Sequence, residues 1–188
     1  EDFYSANQGR DYVLSGTLGL NAKGDFLALK VSGVCNLGAY VAGSSPFTAL
    51  RNVTRMLAGV YKTPNLYINL SGVFTNTVPI ASYRGVGRVE AIYTLERLID
   101  EAARTTGFDR IELRRRNCVP PEAMPYTTPT GSTYDSGEYV KNMDLAITNS
   151  RWNTFAKRRI EASARGKLRG IGICNYIEGA GGVSREYG

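Results

Sequence analysis

The chain has 188 residues, 43% of them hydrophobic and 21% charged, the balance of a globular protein long enough to bury a core. Three scattered cysteines and a complete lack of histidine exclude a disulfide framework, a His-based metal site and Ser-His-Asp or Cys-His nucleophilic catalysis. The formal charge of +6 leaves two readings, contact with nucleic acid or a membrane surface, or a surface covered by acidic neighbours. No apolar run approaches the roughly 20 residues of a membrane span.

The chain opens at Glu1-Asp2-Phe3 without an initiator Met and stops just after Gly181-Gly182-Val183-Ser184, so we read it as an interior piece of a longer protein. Residues 12–37 carry the pattern of a β-hairpin. Tyr12, Leu14, Leu18 and Leu20 alternate with Val13, Ser15, Thr17 and Gly19, the period of a strand with one buried face. Asn21-Ala22-Lys23-Gly24 has the composition of a type I turn, and Phe26-Leu27-Ala28-Leu29-Lys30-Val31 follows as a more continuous apolar strand. Leu50, Val53, Leu57 and Val60 recur at helical spacing behind Pro46, which predicts a helix over residues 46–60. Residues 67–74 return to strand, and residues 75–87 are turn-rich.

The clearest helical pattern spans residues 90–104. Ala91, Ile92, Leu95, Leu98, Ile99, Ala102 and Ala103 form one stripe; Glu96, Arg97, Asp100, Glu101 and Arg104 are assigned to the opposite, solvated face. Arg97–Glu101 and Asp100–Arg104 are spaced as i,i+4 ion pairs, and Gly107 supplies a stop. Asp109-Arg110-Ile111-Glu112 reads as a capping-box-like start for a short helix through Arg116, ended by Pro120-Pro121. Residues 120–137 form a long irregular stretch of the kind that is functional or wraps over a partner. Helices over residues 138–149 and 151–165 and a strand over residues 169–177 complete the reading. The architecture is α+β, with residues 1–166 in a first domain and 167–188 opening a second. Arg114-Arg115-Arg116, Lys157-Arg158-Arg159 and the basic residues of 165–169 each fall near a helix end, where cations suit the dipole on a solvated surface.

The segment that could carry chemistry is Ala81-Ser82-Tyr83-Arg84-Gly85-Val86-Gly87-Arg88-Val89-Glu90. Gly85 and Gly87 permit positive φ and close approach of a ligand to the main chain, and the helix behind them offers free N–H groups and a positive dipole end. An anionic or oxo-rich ligand would sit well there. Taken alone, the pattern reads by default as a plain structural turn, the commoner use of two glycines before a helix.

The surroundings add to it. Phe74-Thr75-Asn76-Thr77 leads into this loop. Then come residues 95–103, Glu112-Leu113-Arg114-Arg115-Arg116-Asn117, Tyr134-Asp135-Ser136-Gly137 and Arg169-Gly170-Ile171-Gly172. In that order and spacing, nearly the whole chain resembles the molybdopterin-binding large subunit of the xanthine oxidase/aldehyde oxidase hydroxylases, including their carbon-monoxide-dehydrogenase-like members. The resemblance implies a hydroxylase or dehydrogenase that inserts a water-derived oxygen into a C–H bond of an aldehyde or N-heterocycle. Its metal is held by the dithiolene of the molybdopterin cofactor, so no protein metal ligand is expected here.

By the same resemblance, Arg84, Gly85, Val86 and Gly87 are cofactor-binding, and Val86 faces substrate where many members carry Phe or Tyr. Glu178 and Gly179 match a segment lining the substrate pocket, where Glu178 is either polar lining or a solvated loop residue. Asn52 stands at the spacing of a substrate-binding arginine of purine-oxidising members, so purine specificity does not follow. The resemblance also implies FAD and 2Fe-2S clusters on partner subunits or domains, a remainder of the molybdenum subunit and a small organic substrate; the odd, widely separated cysteines point to a reducing, cytoplasmic location. The family's catalytic glutamate lies downstream of this segment, so no catalytic residue is assigned and the chain alone is expected to be inactive. In the CO-oxidising branch a cysteine after the loop arginine holds copper; here Gly85 follows Arg84. Two rival readings are a basic nucleic-acid-binding module and a non-catalytic docking domain.

Overall fold

The structure, a computed structural model, describes residues 6–41 and 45–178, the side chains of residues 45, 46 and 48 excepted. The expected hairpin forms. Strand β1 (Tyr12–Leu20) pairs antiparallel with β2 (Phe26–Gly38), from Tyr12 opposite Cys35 to Leu20 opposite Phe26. The turn closes with the Gly24 amide donating to the Asn21 carbonyl at 2.9 Å, while Asn21 Oδ1 accepts from the amides of Lys23 and Asp25.

β2 runs well past the apolar stretch that ends at Val31, because a second strand supports it. β3 (Asn65–Phe74) lies parallel along its other edge, from Ala28 opposite Asn65 to Gly38 opposite Phe74. A parallel neighbour requires a crossover, and helix α1 (Ser45–Met56) is part of it. The sheet order is β1-β2-β3. The helix predicted through residue 60 ends at Met56, where Gly59 takes φ 57° and donates its amide to the Met56 carbonyl.

Alternation along the strands leaves one sheet face apolar. Leu18, Leu29 and Leu66 share one row of the register and Val31 and Ile68 the next, with Leu29 and Val31 fully buried. Helix α2 (Arg88–Thr106) packs with α1 against this face, placing Val53, Leu57, Ala91, Leu95 and Ile99 in a common core. The buried set is as apolar as the stripe predicted, with one exception that rearranges the rest.

Glu96 and Arg114 do not face solvent. Arg114, on α3 (Arg110–Asn117), is the largest fully buried side chain among the described residues, and Glu96 is only 6% exposed. Arg114 Nε donates to Glu96 Oε2 at 2.8 Å, Nη2 to the Glu96 carbonyl at 3.2 Å and Nη1 to the Arg110 carbonyl at 3.0 Å. Nη1 also lies 2.8 Å from Asp100 Oδ1, an ion pair not aligned as a hydrogen bond. The Tyr61 hydroxyl, itself buried, donates to Glu96 Oε1 at 2.6 Å. Burial pushes the Glu96 carboxyl upward against the opposing pull of Arg114 and of the Tyr61 hydroxyl. Glu96 sits beside Leu95 on the rim of the apolar stripe, and its partner arrives from another helix, which helical periodicity cannot register. The solvated face assigned to Glu96 and the solvated Arg114 cluster are therefore corrected.

The expected i,i+4 pairs are also replaced. Arg104 pairs with Glu101, while Asp100 turns to Arg110 and Arg114. Arg115 is not free either: its guanidinium reaches Asp144 at 2.7 Å and Glu112 at 3.1 Å, tying α3 to α4 (Tyr139–Asn149). The start of α3 is as read, with Asp109 Oδ1 accepting from the amides of Ile111 and Glu112 at 2.8 and 3.0 Å.

The irregular stretch 120–137 contains a short hairpin, β4 (Tyr126–Thr127) with β5 (Thr133–Tyr134). It is fastened to the end of α1 and the following turn, Thr130 Oγ1 donating to the Arg55 carbonyl at 2.8 Å and the Tyr134 hydroxyl to the Gly59 carbonyl at 2.6 Å. Arg151 takes φ 53°, which splits the predicted helix 151–165 into a 3-10 turn (Trp152–Thr154) and α5 (Phe155–Ser163). The strand predicted over residues 169–177 is absent. Those residues pair with no strand among the described residues; instead the Ile171 carbonyl accepts from Arg110 on α3 at 3.3 Å and Asn175 Nδ2 donates to Sγ of Cys118, just past the end of α3, at 3.5 Å.

Arg114→Ala would leave the Glu96 carboxylate buried without its cation, so we expect a loss of about 3–5 kcal/mol of stability. Arg116→Ala, at a half-exposed side chain, should cost less than about 1 kcal/mol. Urea unfolding of the two variants checks this; equal midpoints would show that the buried pair contributes nothing.

Candidate functional site

The approach to the glycine loop is pinned at its base by Asn36, near the end of β2. Asn36 Nδ2 donates to Asp11 Oδ2 and Thr77 Oγ1 at 2.8 Å, and its Oδ1 accepts from the Thr75 hydroxyl and the Gly38 amide at 2.7 Å. Gln8 then brackets the chain, its amide donating to the Pro79 carbonyl and its carbonyl accepting from the Ala81 amide. Residues 84–87 thus leave from a fixed point and must turn directly into α2.

They do so in three successive left-handed residues, Gly85 (φ 91°), Val86 (φ 28°) and Gly87 (φ 82°). The Val86 amide donates to the Tyr83 carbonyl and the Arg88 amide to the Gly85 carbonyl, both at 2.8 Å. Gly87 is the start of α2, and no side chain caps that helix. A Cβ at Gly87 would lie 2.1 Å from the Ala49 carbonyl oxygen and 3.1 Å from the Val53 amide nitrogen. The loop therefore rests backbone to backbone on α1. Asn52 adds a strut from the same helix: its Nδ2 donates to the Val86 carbonyl at 2.8 Å, holding the one non-glycine residue of this positive-φ run.

Three guanidinium groups surround the loop. Arg10 donates to the Arg84 carbonyl, lies 4.6 Å above the Tyr83 ring and comes within 3.6 Å of Glu90. Arg88 lies 3.4 Å from Glu178. Arg84 is exposed and its side chain makes no hydrogen bond or ion pair among the described residues. Among the described residues, an exposed cation beside a helix N-terminus without a side-chain cap gives a local positive field suited to an anionic group.

Of the residues singled out from sequence, Arg84, Gly85, Val86 and Gly87 thus form one continuous turn, and Glu178 is brought to it through Arg88. Gly179 lies outside the described residues. Arg10 and Asn36 carried no signal in the sequence, and Asn52 was weighed only by spacing; each holds the loop or its approach through a contact from a distant element. No cluster of His, Cys, Asp and Glu that could hold a metal occurs among the described residues.

Residues 1–118 match the family model described as a molybdopterin cofactor-binding domain. The carbon monoxide dehydrogenase large chain of Hydrogenophaga pseudoflava is 34% identical over 92% of this chain and 22% of its own length. The 6-hydroxypseudooxynicotine dehydrogenase complex subunit gamma of Paenarthrobacter nicotinovorans is 29% identical over 96% of this chain and 23% of its own length. Among solved structures, quinoline 2-oxidoreductase from Pseudomonas putida 86 superposes with a TM-score of 0.79 at 34% identity, covering 88% of this chain and 21% of that one. The chain thus spans about a fifth of the length of these relatives.

Asn52→Ala deletes the strut to Val86 but no core packing. We expect the amides of residues 84–88 to exchange with solvent at least about tenfold faster while global stability changes by no more than about 1–2 kcal/mol. Hydrogen exchange resolved to peptides checks this; unchanged protection across the loop would mean that the strut does not hold it.

Proposed function

The chain belongs to the molybdopterin cofactor-binding domain family, and from that premise we propose that it is the part of a molybdenum hydroxylase large subunit that presents the loop 84–87 to the cofactor. The observation that carries this reading is the loop itself: a run of positive-φ backbone, closed against α1, opening onto a helix without a side-chain cap, with the exposed Arg84 making no ion pair among the described residues. The fit is chemical as well as steric. A pterin cofactor bearing a phosphate and an oxo-metal centre offers anionic and oxo groups, and close main-chain approach is what Gly85 and Gly87 permit. When bound, the cofactor supplies the oxidation that places a water-derived oxygen on a substrate carbon.

The residues of this chain bind and orient. Arg84 would contribute positive charge, Gly85 and Gly87 would admit the ligand to the backbone, and Val86, held by Asn52, would form an apolar wall toward substrate. Arg88 would keep Glu178 beside the loop as polar lining. We assign no general base here; proton abstraction requires a group beyond these residues. The substrate is a small organic molecule, an aldehyde or N-heterocycle. FAD and 2Fe-2S clusters reside on partner subunits or domains, and the setting is cytoplasmic. No helix of the described residues is long and apolar enough to cross a membrane. The family match supports this reading over a nucleic-acid-binding module, and the chain alone is expected to have no turnover.

In the intact enzyme Arg84→Ala should lower molybdenum content or turnover at least about tenfold, whereas Arg55→Ala, at an exposed position on α1, should leave both unchanged. Metal analysis alongside turnover reads both effects. Equal behaviour of the two variants would remove Arg84 from the site.

Copper is not expected beside the molybdenum. A soft Cu(I) ion needs a thiolate or thioether, and the residue after Arg84 is glycine. The buried thiols are poorly disposed to ionise: burial raises that of Cys35, and pushes that of Cys118 up to about 12. Metal analysis of the loaded enzyme should therefore find molybdenum without stoichiometric copper, and an aldehyde or heteroaromatic should be oxidised in preference to CO. One copper per molybdenum with CO-dependent dye reduction would overturn this.

A further inference from the structure

Two features beside the loop cost the fold stability. Glu90, in the first turn of α2, has a side chain only 10% exposed, and its Oε2 is buried without a hydrogen bond among the described residues. An acidic residue there suits the helix dipole, but the dipole would serve an exposed carboxylate as well and does not require burial. Arg10, just ahead of β1, takes φ 58°, a conformation that a non-glycine residue keeps only where its surroundings impose it. The two meet: Arg10 Nε lies 3.6 Å from Glu90 Oε1, the one ion pair of Glu90 among the described residues. The Tyr12 hydroxyl and the Cys35 thiol, on the sheet, are both held up by burial first, with the Glu90 charge adding to it, so neither supplies a counter-charge.

The Arg10 guanidinium joins α2 to the loop. Its Nη2 donates to the Arg84 carbonyl, its Nε faces Glu90, and its Cζ lies 4.6 Å from the centre of the Tyr83 ring. The segment carrying it is close-packed on the loop approach, since a Cβ at Gly9 would lie 2.5 Å from Tyr83 Cβ. The Arg84–Gly85 peptide is trans, so a carbonyl turned to Arg10 sends the Gly85 N–H to the opposite side, where it makes no hydrogen bond among the described residues. We infer that Glu90 and Arg10 are positioning residues for the loop: the Glu90 carboxylate sets the Arg10 guanidinium, and the guanidinium sets which way the Arg84–Gly85 peptide faces. Their purpose rests on the reading of residues 84–87 as part of the cofactor cradle, where the direction of that amide decides whether an anionic oxygen finds a donor. Lysine could not replace Arg10, because one ammonium has no planar fork to serve a carboxylate, a carbonyl and a ring at once.

Peptide-resolved hydrogen exchange and cofactor content, read as molybdenum and released pterin per folded protein, test this together on the intact enzyme. Exchange of the Val86 and Arg88 amides, both bonded within the loop, is compared with the far end of α2 (residues 99–106), which separates local release from general destabilisation. Glu90→Gln should speed the loop at least about fivefold relative to that end and lower cofactor content at least about twofold. Arg10→Lys should do the same despite keeping its charge. The double variant Glu90→Gln, Arg10→Lys should exchange no faster than Arg10→Lys alone, because Glu90 acts only through Arg10. Glu101→Gln, which breaks the exposed pair with Arg104 at the other end of the helix, should leave the loop and the cofactor at the parent level. Parent-level loop exchange in either single variant, or additive effects in the double variant, would overturn the inference. A loosened loop with cofactor content at the parent level would instead leave the Glu90–Arg10 clamp standing and sink the reading of the loop as a cradle.

Discussion

The functional geometry of this domain depends on one close contact, the backbone of Gly87 lying on the backbone of α1. With a would-be Cβ only 2.1 Å from the Ala49 carbonyl, no other residue fits without displacing one helix from the other. That contact fixes where α2 begins, and α2 is both the wall of the core and the pole of the candidate site. The loop before it has little freedom left. Asn36 and Gln8 hold its approach, Arg10 its first carbonyl, and Asn52 the carbonyl of Val86. Such over-determination is what keeps a non-glycine residue at φ 28° and makes a preorganised backbone surface possible.

The buried charge cluster complements this contact from the other side of α2. Arg114 and Tyr61 both end on Glu96, so α3 and the chain entering β3 are referenced to the same helix that carries the loop. Apolar residues of similar volume could fill that space with comparable stability, whereas removal of one partner alone would strand a buried charge. Arg115 passes the reference on to α4 through Asp144. The domain is thus organised around α2, with the candidate site at its N-terminus.

Much of this was legible beforehand, and the failures have a common cause. Strand alternation gave the hairpin, helical spacing gave α1 and α2, and Asp109 marked the start of α3, because each is encoded within a few residues. The strand at residues 67–74 was legible too, but its parallel pairing, the burial of Glu96 and Arg114 and the missing strand near residue 171 depend on what lies alongside, which local periodicity does not contain. The candidate site divides the same way. Arg84, Gly85, Val86 and Gly87 stand out as a glycine loop before a helix, whereas Arg10, Asn36 and Asn52 act on it from 30 or more residues away along the chain. Only folding brings their side chains there.

The central claim is that the loop backbone, placed by Gly87, forms part of the cofactor cradle. The two glycines that bound α2 make a matched test, since both have φ 82°, and only Gly87 has backbone in the way of a Cβ; Gly107 has open space. The measurement is cofactor per folded protein in the intact enzyme, read as released pterin and bound molybdenum, for Gly87→Ala and Gly107→Ala. Gly107→Ala should retain cofactor near the parent level, while Gly87→Ala should lose most of it with its far-ultraviolet circular dichroism preserved. Full cofactor occupancy in a folded Gly87→Ala enzyme would contradict the claim.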